Sequence, residues 1–299
     1  MYRSLTALAA ALVVVALAAL PASGGDGFPV TLRSSAGKVT IRKQPRRIVS
    51  LSPTATETLF AIGAGRQVIA VDDQSDFPRR APRTKLSALT PNAEAVAGYR
   101  PDLVVTSFDA NRLVASLRRL HVPVLLQLPA RTLTAGYSQI RQLGLATGRR
   151  AGARTLVARM RTRIARLVAT SRARARGRSV YHEVDPDLYA ASSRTFAGSI
   201  YRLFGLRNIA DRADTGSGYP KLSAEYVIAA DPSLIVLADT KCCGQSRATV
   251  AGRPGWSRMK AVRDGAILRL DDSIAQRWGP RIVDFARAVA RALSTLPRS

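Results

Sequence analysis

Two glutamates, Glu94 and Glu225, occupy the same place in two copies of one local pattern. The first copy runs from Pro91-Asn92-Ala93-Glu94 to Pro101-Asp102-Leu103-Val104-Val105, and the second from Leu222-Ser223-Ala224-Glu225 to Asp231-Pro232-Ser233-Leu234-Ile235-Val236. Each copy holds a polar cap residue, the glutamate, a short helical stretch, a proline seven residues past the glutamate, and an aliphatic strand. A unit repeated once in this way implies two similar lobes, each presenting one carboxylate at the matching point of its surface. Two lobes imply a cleft. Taken singly, either glutamate is an acid in a first helical turn, where the macrodipole favours it; that accounts for one of them but not for the match.

The other residues able to do chemistry are few. Cys242 and Cys243 are adjacent and are the only cysteines. Their Cα atoms stand about 3.8 Å apart across a trans peptide, less than disulfides usually span. They form either a vicinal disulfide, as an oxidising compartment favours, or a pair of thiols in a loop. Asp72, Asp73 and Asp76 could hold a hard cation, or be solvated and capping acids. His121 stands where a helix ends before Val122-Pro123, a C-terminal capping place. With only two histidines in the chain, a receptor for bare zinc or manganese lacks its usual ligands, and no metal site is expected. An enzyme is the rival class, but there is no Gly-x-Ser-x-Gly elbow and no Gly-x-x-x-x-Gly-Lys-Ser loop. No cofactor is expected either.

The elements that must position these residues alternate. A hairpin is expected around Ala36-Gly37, then strands at Ile48 to Leu51, Val68 to Val71, Leu103 to Val105 and Val122 to Leu126, with helical stretches between. Ser52-Pro53 opens the first helix, and Gly63 to Gly65 closes it. From Leu143 to Arg172 there is no proline, and Leu156, Met160, Ile164, Leu167 and Val168 recur at helical spacing, which predicts one long helix. Strands resume at Ser179 to Val184, Leu234 to Ala238 and Ile267 to Leu270, before a closing helix from Pro280. The βαβ rhythm predicts an α/β fold with mainly parallel sheets: a first lobe over residues 28–140, a bridging helix over 141–176 and a second lobe over 177–299.

Arg3, the apolar run Ala7 to Leu20 and the small residues after Pro21 read as a secretory signal over residues 1–24. No cysteine stands near that cleavage region, so the expectation is an exported, monomeric protein without an N-terminal lipid anchor. The 46 Lys plus Arg against 20 Asp plus Glu make a net charge of +26. Such a balance would ordinarily point to nucleic acid, but the arginines are scattered, aromatics are 6%, and export removes the chain from the cytoplasm. Twelve arginines and no acid lie between Arg141 and Arg178, so the long helix has a basic outer face.

Several motifs in order resemble one family. Arg47-Ile48-Val49-Ser50-Leu51-Ser52-Pro53-Thr54-Ala55-Thr56-Glu57 through Gly63-Ala64-Gly65, Asp76-Phe77-Pro78, Asn92-Ala93-Glu94, Leu188-Tyr189 with Thr195-Phe196, Asn208-Ile209-Ala210 and Trp278-Gly279-Pro280-Arg281 look like the substrate-binding proteins of ABC importers for cobalamin and ferric siderophores. The resemblance implies two Rossmann-like α/β lobes bridged by one long helix, the class III periplasmic binding protein fold, with a metal chelate held between them. A haem receptor of the same fold is the alternative. It also implies that Glu94 and Glu225 dock onto the permease subunits at the membrane surface.

Ligand residues are expected at the strand ends that face the cleft. In the first lobe these are Asp73 and Gln74, with Ala88 to Thr90 nearby. In the second they are His182 and Tyr189, then Lys241, Cys242 and Cys243, then Arg277 and Trp278, where guanidinium and indole suit a bulky ligand with acidic or amide groups. The family's cobalamin binder carries aromatics at the positions matching Gln74 and Ala88. Neither is aromatic here, which leaves the chelate open.

Overall fold

The computed structural model describes residues 27–297; the signal read over residues 1–24 lies outside them. Strands β1 (Val30–Ser34) and β2 (Gly37–Ile41) form the expected antiparallel hairpin. Two four-stranded parallel sheets follow. The first holds β3 (Ile48–Leu51), β4 (Val68–Val71), β5 (Leu103–Thr106) and β6 (Val124–Leu126) in the order β4-β3-β5-β6. The second holds β7 (Ser179–Glu183), β8 (Arg207–Asn208), β9 (Leu234–Leu237) and β10 (Ile267–Arg269) in the order β8-β7-β9-β10. The order is the same, first strand between second and third. Strands β3, β5, β7 and β9 are buried along their whole length, as strands covered by helices on both faces must be.

The helices are α1 (Pro53–Ala61), α2 (Ala93–Gly98), α3 (Leu113–Arg119), α4 (Leu133–Ala146), α5 (Arg150–Ala175), α6 (Phe196–Phe204), α7 (Ala224–Ala230), α8 (Arg247–Ala251), α9 (Lys260–Arg263), α10 (Asp272–Ala275) and α11 (Ile282–Thr295). Side-chain N-caps start them where the sequence has Ser, Thr or Asn: Ser52 for α1, Asn92 for α2, Thr132 for α4, Thr195 for α6 and Ser223 for α7. Past α3, His121 sits at φ 60° with its N–H on Arg118 O, the left-handed position that ends a helix.

The long helix begins later than its periodicity implied. Helix α4 ends at Ala146, and α5 starts at Arg150 rather than at Leu143. Gly148 breaks the run at φ +71°. The Thr147 carbonyl accepts from the side chains of Gln44 (3.0 Å) and Gln67 (3.1 Å), partners that the sequence spacing could not reveal. Past the break, α5 buries Ala153, Leu156, Val157, Met160 and Ile164 and packs against α4 and α11. These residues belong to one apolar core that runs through both lobes, and a smaller one fills the other face of the first sheet. Two α/β lobes joined by α5 are therefore the architecture. No helix among the described residues is long and apolar enough to cross a membrane.

Candidate functional site

Because both sheets are parallel, their loops at the strand C-termini collect on one side, and there the lobes face each other. A cavity of about 670 Å³ lies between them. The first lobe contributes Phe108, just past β5, and Leu128 to Arg131, just past β6; the second contributes His182 and Val184 at the end of β7, Arg194 to Ala197, Tyr219, Ala238 and Trp278. Phe108, Leu128 and Tyr219 are 43%, 48% and 51% exposed, so three of the large apolar side chains this protein leaves in water converge on one hollow. Such a concentration marks a binding surface. Arg131 and Arg194, one from each lobe, stand at the same rim; Arg194 is paired with Asp214 at 3.5 Å.

Beside the cavity the lobes are fastened together. Arg277 donates to Glu57 Oε1 (2.9 Å), to Asp76 Oδ1 (2.7 Å) and to the Gln74 carbonyl (2.9 Å), and Arg281 donates to the same Glu57 oxygen from Nε (3.0 Å) and Nη2 (2.7 Å). Glu57, on α1, is 3% exposed. The Arg281 guanidinium also lies 4.7 Å from the Phe77 ring centre. Burial opposes ionisation of Asp76, but the bond and charge of Arg277 outweigh it and hold the carboxyl below its usual range. Between the two arginines, the Trp278 indole N–H donates to Gln139 Oε1 at 2.7 Å.

Of the residues singled out in sequence, His182 and Trp278 line the cavity. Arg277 is spent on the inter-lobe contacts. Asp73 and Gln74 are exposed in the loop after β4, and Tyr189 carries Lys221 over its ring at 5.6 Å, away from the hollow. Cys242 and Cys243 are joined as a vicinal disulfide. Their loop does follow β9, but it is exposed and outside the cavity lining. The Asp272 carboxylate accepts the N–H groups of Thr240, Lys241 and Cys242, and Lys241 is paired with Asp271 at 2.5 Å. Sequence reasoning missed Phe108, Leu128, Arg131, Arg194 and Tyr219. The first three follow strand ends and were within reach of that rule; Arg194 lies in the loop before α6 and Tyr219 in the loop between β8 and α7, where no strand end of the pattern marks them.

Three buried groups at the strand ends titrate abnormally. Burial lowers His182 to about 4, and with Nδ1 2.6 Å from the Tyr201 hydroxyl the imidazole is neutral. Burial raises Asp72 to about 6. Asp239, just past β9, is pushed to about 7 by burial and by the charge of Glu183. Glu183 itself is held by both Arg253 amino groups at 2.6 and 2.7 Å and by the Tyr181 hydroxyl at 3.0 Å. Among the described residues no group of three or more His, Cys, Asp or Glu side chains could hold a metal ion.

Glu94 and Glu225 lie at matching positions of α2 and α7, both exposed and neither in a salt bridge among the described residues. The spacing is preserved throughout this part of the fold: α2 to α7, β3 to β7 and β5 to β9 are each offset by 131 residues, 93 to 224, 48 to 179 and 103 to 234. Backbone N–H and the Ser223 hydroxyl, in that order, lower the pKa of Glu225.

Comparison with known proteins agrees with this architecture. The chain is 29% identical over 276 residues to an uncharacterized ABC transporter substrate-binding lipoprotein of Bacillus subtilis, covering 89% of this chain and 86% of that one. It is 30% identical over 275 residues to a cobalamin-binding protein of Halobacterium salinarum, covering 89% and 74%. Among solved structures, a periplasmic heme-binding protein of Roseiflexus in apo form superposes with a TM-score of 0.72 at 25% identity, over 83% of this chain and 98% of that one. Residues 48–274 match the family described as periplasmic binding protein, and the chain belongs to that family.

Proposed function

We propose that this protein is the extracytoplasmic substrate-binding component of an ABC importer, taking a metal chelate into the inter-lobe cavity and presenting it to the permease. The observation that carries this reading is the cavity itself: apolar side chains left in water on both lobes, arginines at the rim, and no cluster of metal ligands among the described residues. That surface suits a ligand with a broad apolar body and anionic or amide edges, whose metal is already enclosed. A corrinoid is supported by the relatives named for cobalamin or vitamin B12. Haem is favoured by Arg131 and Arg194, which suit peripheral carboxylates, and a ferric siderophore remains within the same class. His182 and Trp278 are proposed as ligand contacts from the second lobe. Glu94 and Glu225, in no salt bridge among the described residues, are proposed to dock as a pair into basic pockets of the permease, a bivalent contact that fixes orientation.

Calorimetric titration tests this. Cyanocobalamin, dicyanocobinamide, haemin or a ferric hydroxamate should bind with saturation and quench tryptophan emission while remaining chemically unchanged. Tight binding of zinc or manganese salts, with no heat from any chelate, would reject the reading.

A further inference from the structure

Glu57 is a carboxylate placed where the proposed transport role does not demand one. It is buried on α1 of the first lobe, yet its charged partners, Arg277 and Arg281, belong to the second, 220 and 224 residues away. A buried ion pair seldom adds stability beyond what apolar packing would give, so its use here calls for a purpose of position. The two arginines are the two ends of the segment Arg277-Trp278-Gly279-Pro280-Arg281. Between them, Trp278 forms part of the cavity wall. The segment is fitted closely to the first lobe. A Cβ on Gly279 would meet the Thr54 carbonyl at 3.4 Å and Glu57 Oε2 at 3.6 Å, and one on Gly136 would meet the Trp278 carbonyl at 3.3 Å.

We propose that Glu57 is a positioning residue for the ligand cavity, clamping the 277–281 segment across the lobe boundary and so holding the Trp278 indole in the cavity wall. The inference rests on the reading of that cavity as the ligand site. The charges fit: Arg277 and Arg281, 12% and 17% exposed as side chains, face Glu57 and Asp76. Replacing Glu57 by an uncharged isostere leaves two crowded guanidinium groups facing Asp76, and near Arg281 an Asp271 that is already paired with Lys241. They will separate, and Trp278 lies between them in the chain. Asp76, which is more exposed and whose side chain among the described residues bonds only Arg277 and Ser273, is the weaker half of the clamp.

The test uses the Trp256→Phe background, in which Trp278 is the sole tryptophan. Glu57→Gln, Arg281→Gln and Glu57→Asp are compared with their parent by circular dichroism, tryptophan emission maximum, and stopped-flow association and dissociation of haemin and of dicyanocobinamide. The expected result for Glu57→Gln is parental circular dichroism, a red-shifted emission and chelate dissociation about tenfold faster or more, with association nearly unchanged, since loosening a contact at a binding surface acts mainly on the off-rate. Arg281→Gln should shift both in the same direction by less, and Glu57→Asp should restore part of each. Parental emission and dissociation rates in folded Glu57→Gln and Arg281→Gln would overturn the inference; should Glu57→Gln not fold, Arg281→Gln alone decides. If the parent binds neither chelate, the chelate reading is damaged separately, and the emission shift still decides whether Glu57 positions the indole.

Discussion

Asp239→Asn should stabilise this protein, by an amount that grows as pH rises from about 4 and is complete by about pH 7. Asp239 is fully buried, and among the described residues neither carboxylate oxygen has a hydrogen-bond donor; its close neighbour is another acid, Glu183. With one proton between them the two carboxyl groups can bond, and with none they repel. The folded protein keeps the Asp239 proton to about pH 7, whereas the unfolded chain loses it near 3.8. Between those values the folded state binds the extra proton, so stability falls as pH rises through this window. About 3 units at roughly 1.4 kcal/mol each set a ceiling of about 4 kcal/mol, and sharing of the proton with Glu183 reduces the expectation to about 2 kcal/mol. Asparagine keeps the shape, donates to Glu183 and cannot ionise. The variant should therefore melt about 4–8 °C above wild type at pH 8, at roughly 2–4 °C per kcal/mol, and show little difference at pH 4.5. Asp72 contributes with the same sign up to about pH 6, and His182, neutral when folded, with the opposite sign as pH falls from 6.5 to about 4. Both are present in each protein and cancel in the difference. Thermal denaturation followed by circular dichroism at the two pH values checks this; a difference that is the same at both, or a variant less stable at pH 8, would refute the reasoning.

Glu94→Gln with Glu225→Gln should leave the fold and chelate affinity intact and abolish stimulation of the importer's ATPase in reconstituted vesicles, each single change giving part of the loss; collapse of ligand affinity would count against docking. Arg253→Ala strands the fully buried Glu183 carboxylate and removes a guanidinium 4.5 Å from the Trp256 ring centre. About 3–5 kcal/mol of stability should disappear in urea denaturation, and a loss under about 1 kcal/mol would show that the pair is not what holds Glu183. In Gly152→Ala the new Cβ would fall 2.2 Å from the Ile62 carbonyl oxygen, and the backbone shift this forces should cost about 1–3 kcal/mol, read as a lowered melting temperature.

The strands were legible because parallel β-structure is written as short aliphatic runs: Ile48–Leu51, Val68–Val71 and Leu234–Leu237 match the expectation to within a residue. The caps at Ser52, Asn92 and Ser223 were legible as local chemistry. The two-residue strand β8 was not, since Arg207-Asn208 carries no aliphatic run and pairs only through its neighbour β7. Helix α5 misled at its start because the lack of proline carried the expectation back to Leu143, whereas the apolar residues that set its period begin only at Leu156 and Gly148 takes a positive φ ahead of them. The site was harder. Trp278 and His182 stood out as rare residues at strand or helix ends, but Arg277 carried no sign that Glu57 would occupy it. A partner more than 200 residues away leaves no trace in local spacing.

That distance has a consequence for assembly. Chains of this size fold lobe by lobe, and the N-terminal part is made first. All four strands of the first sheet and α1 precede residue 147, so the first lobe can close the smaller core on one face of its sheet while Arg277 and Arg281 are still to be synthesised. Through that interval Glu57 lacks both of its native partners and must stay hydrated, because burying a lone carboxylate is prohibitive. The face of α1 around it therefore remains open to water. Joining of the lobes is the event that dries it, and the last hundred residues complete a surface that the first hundred could only leave unfinished.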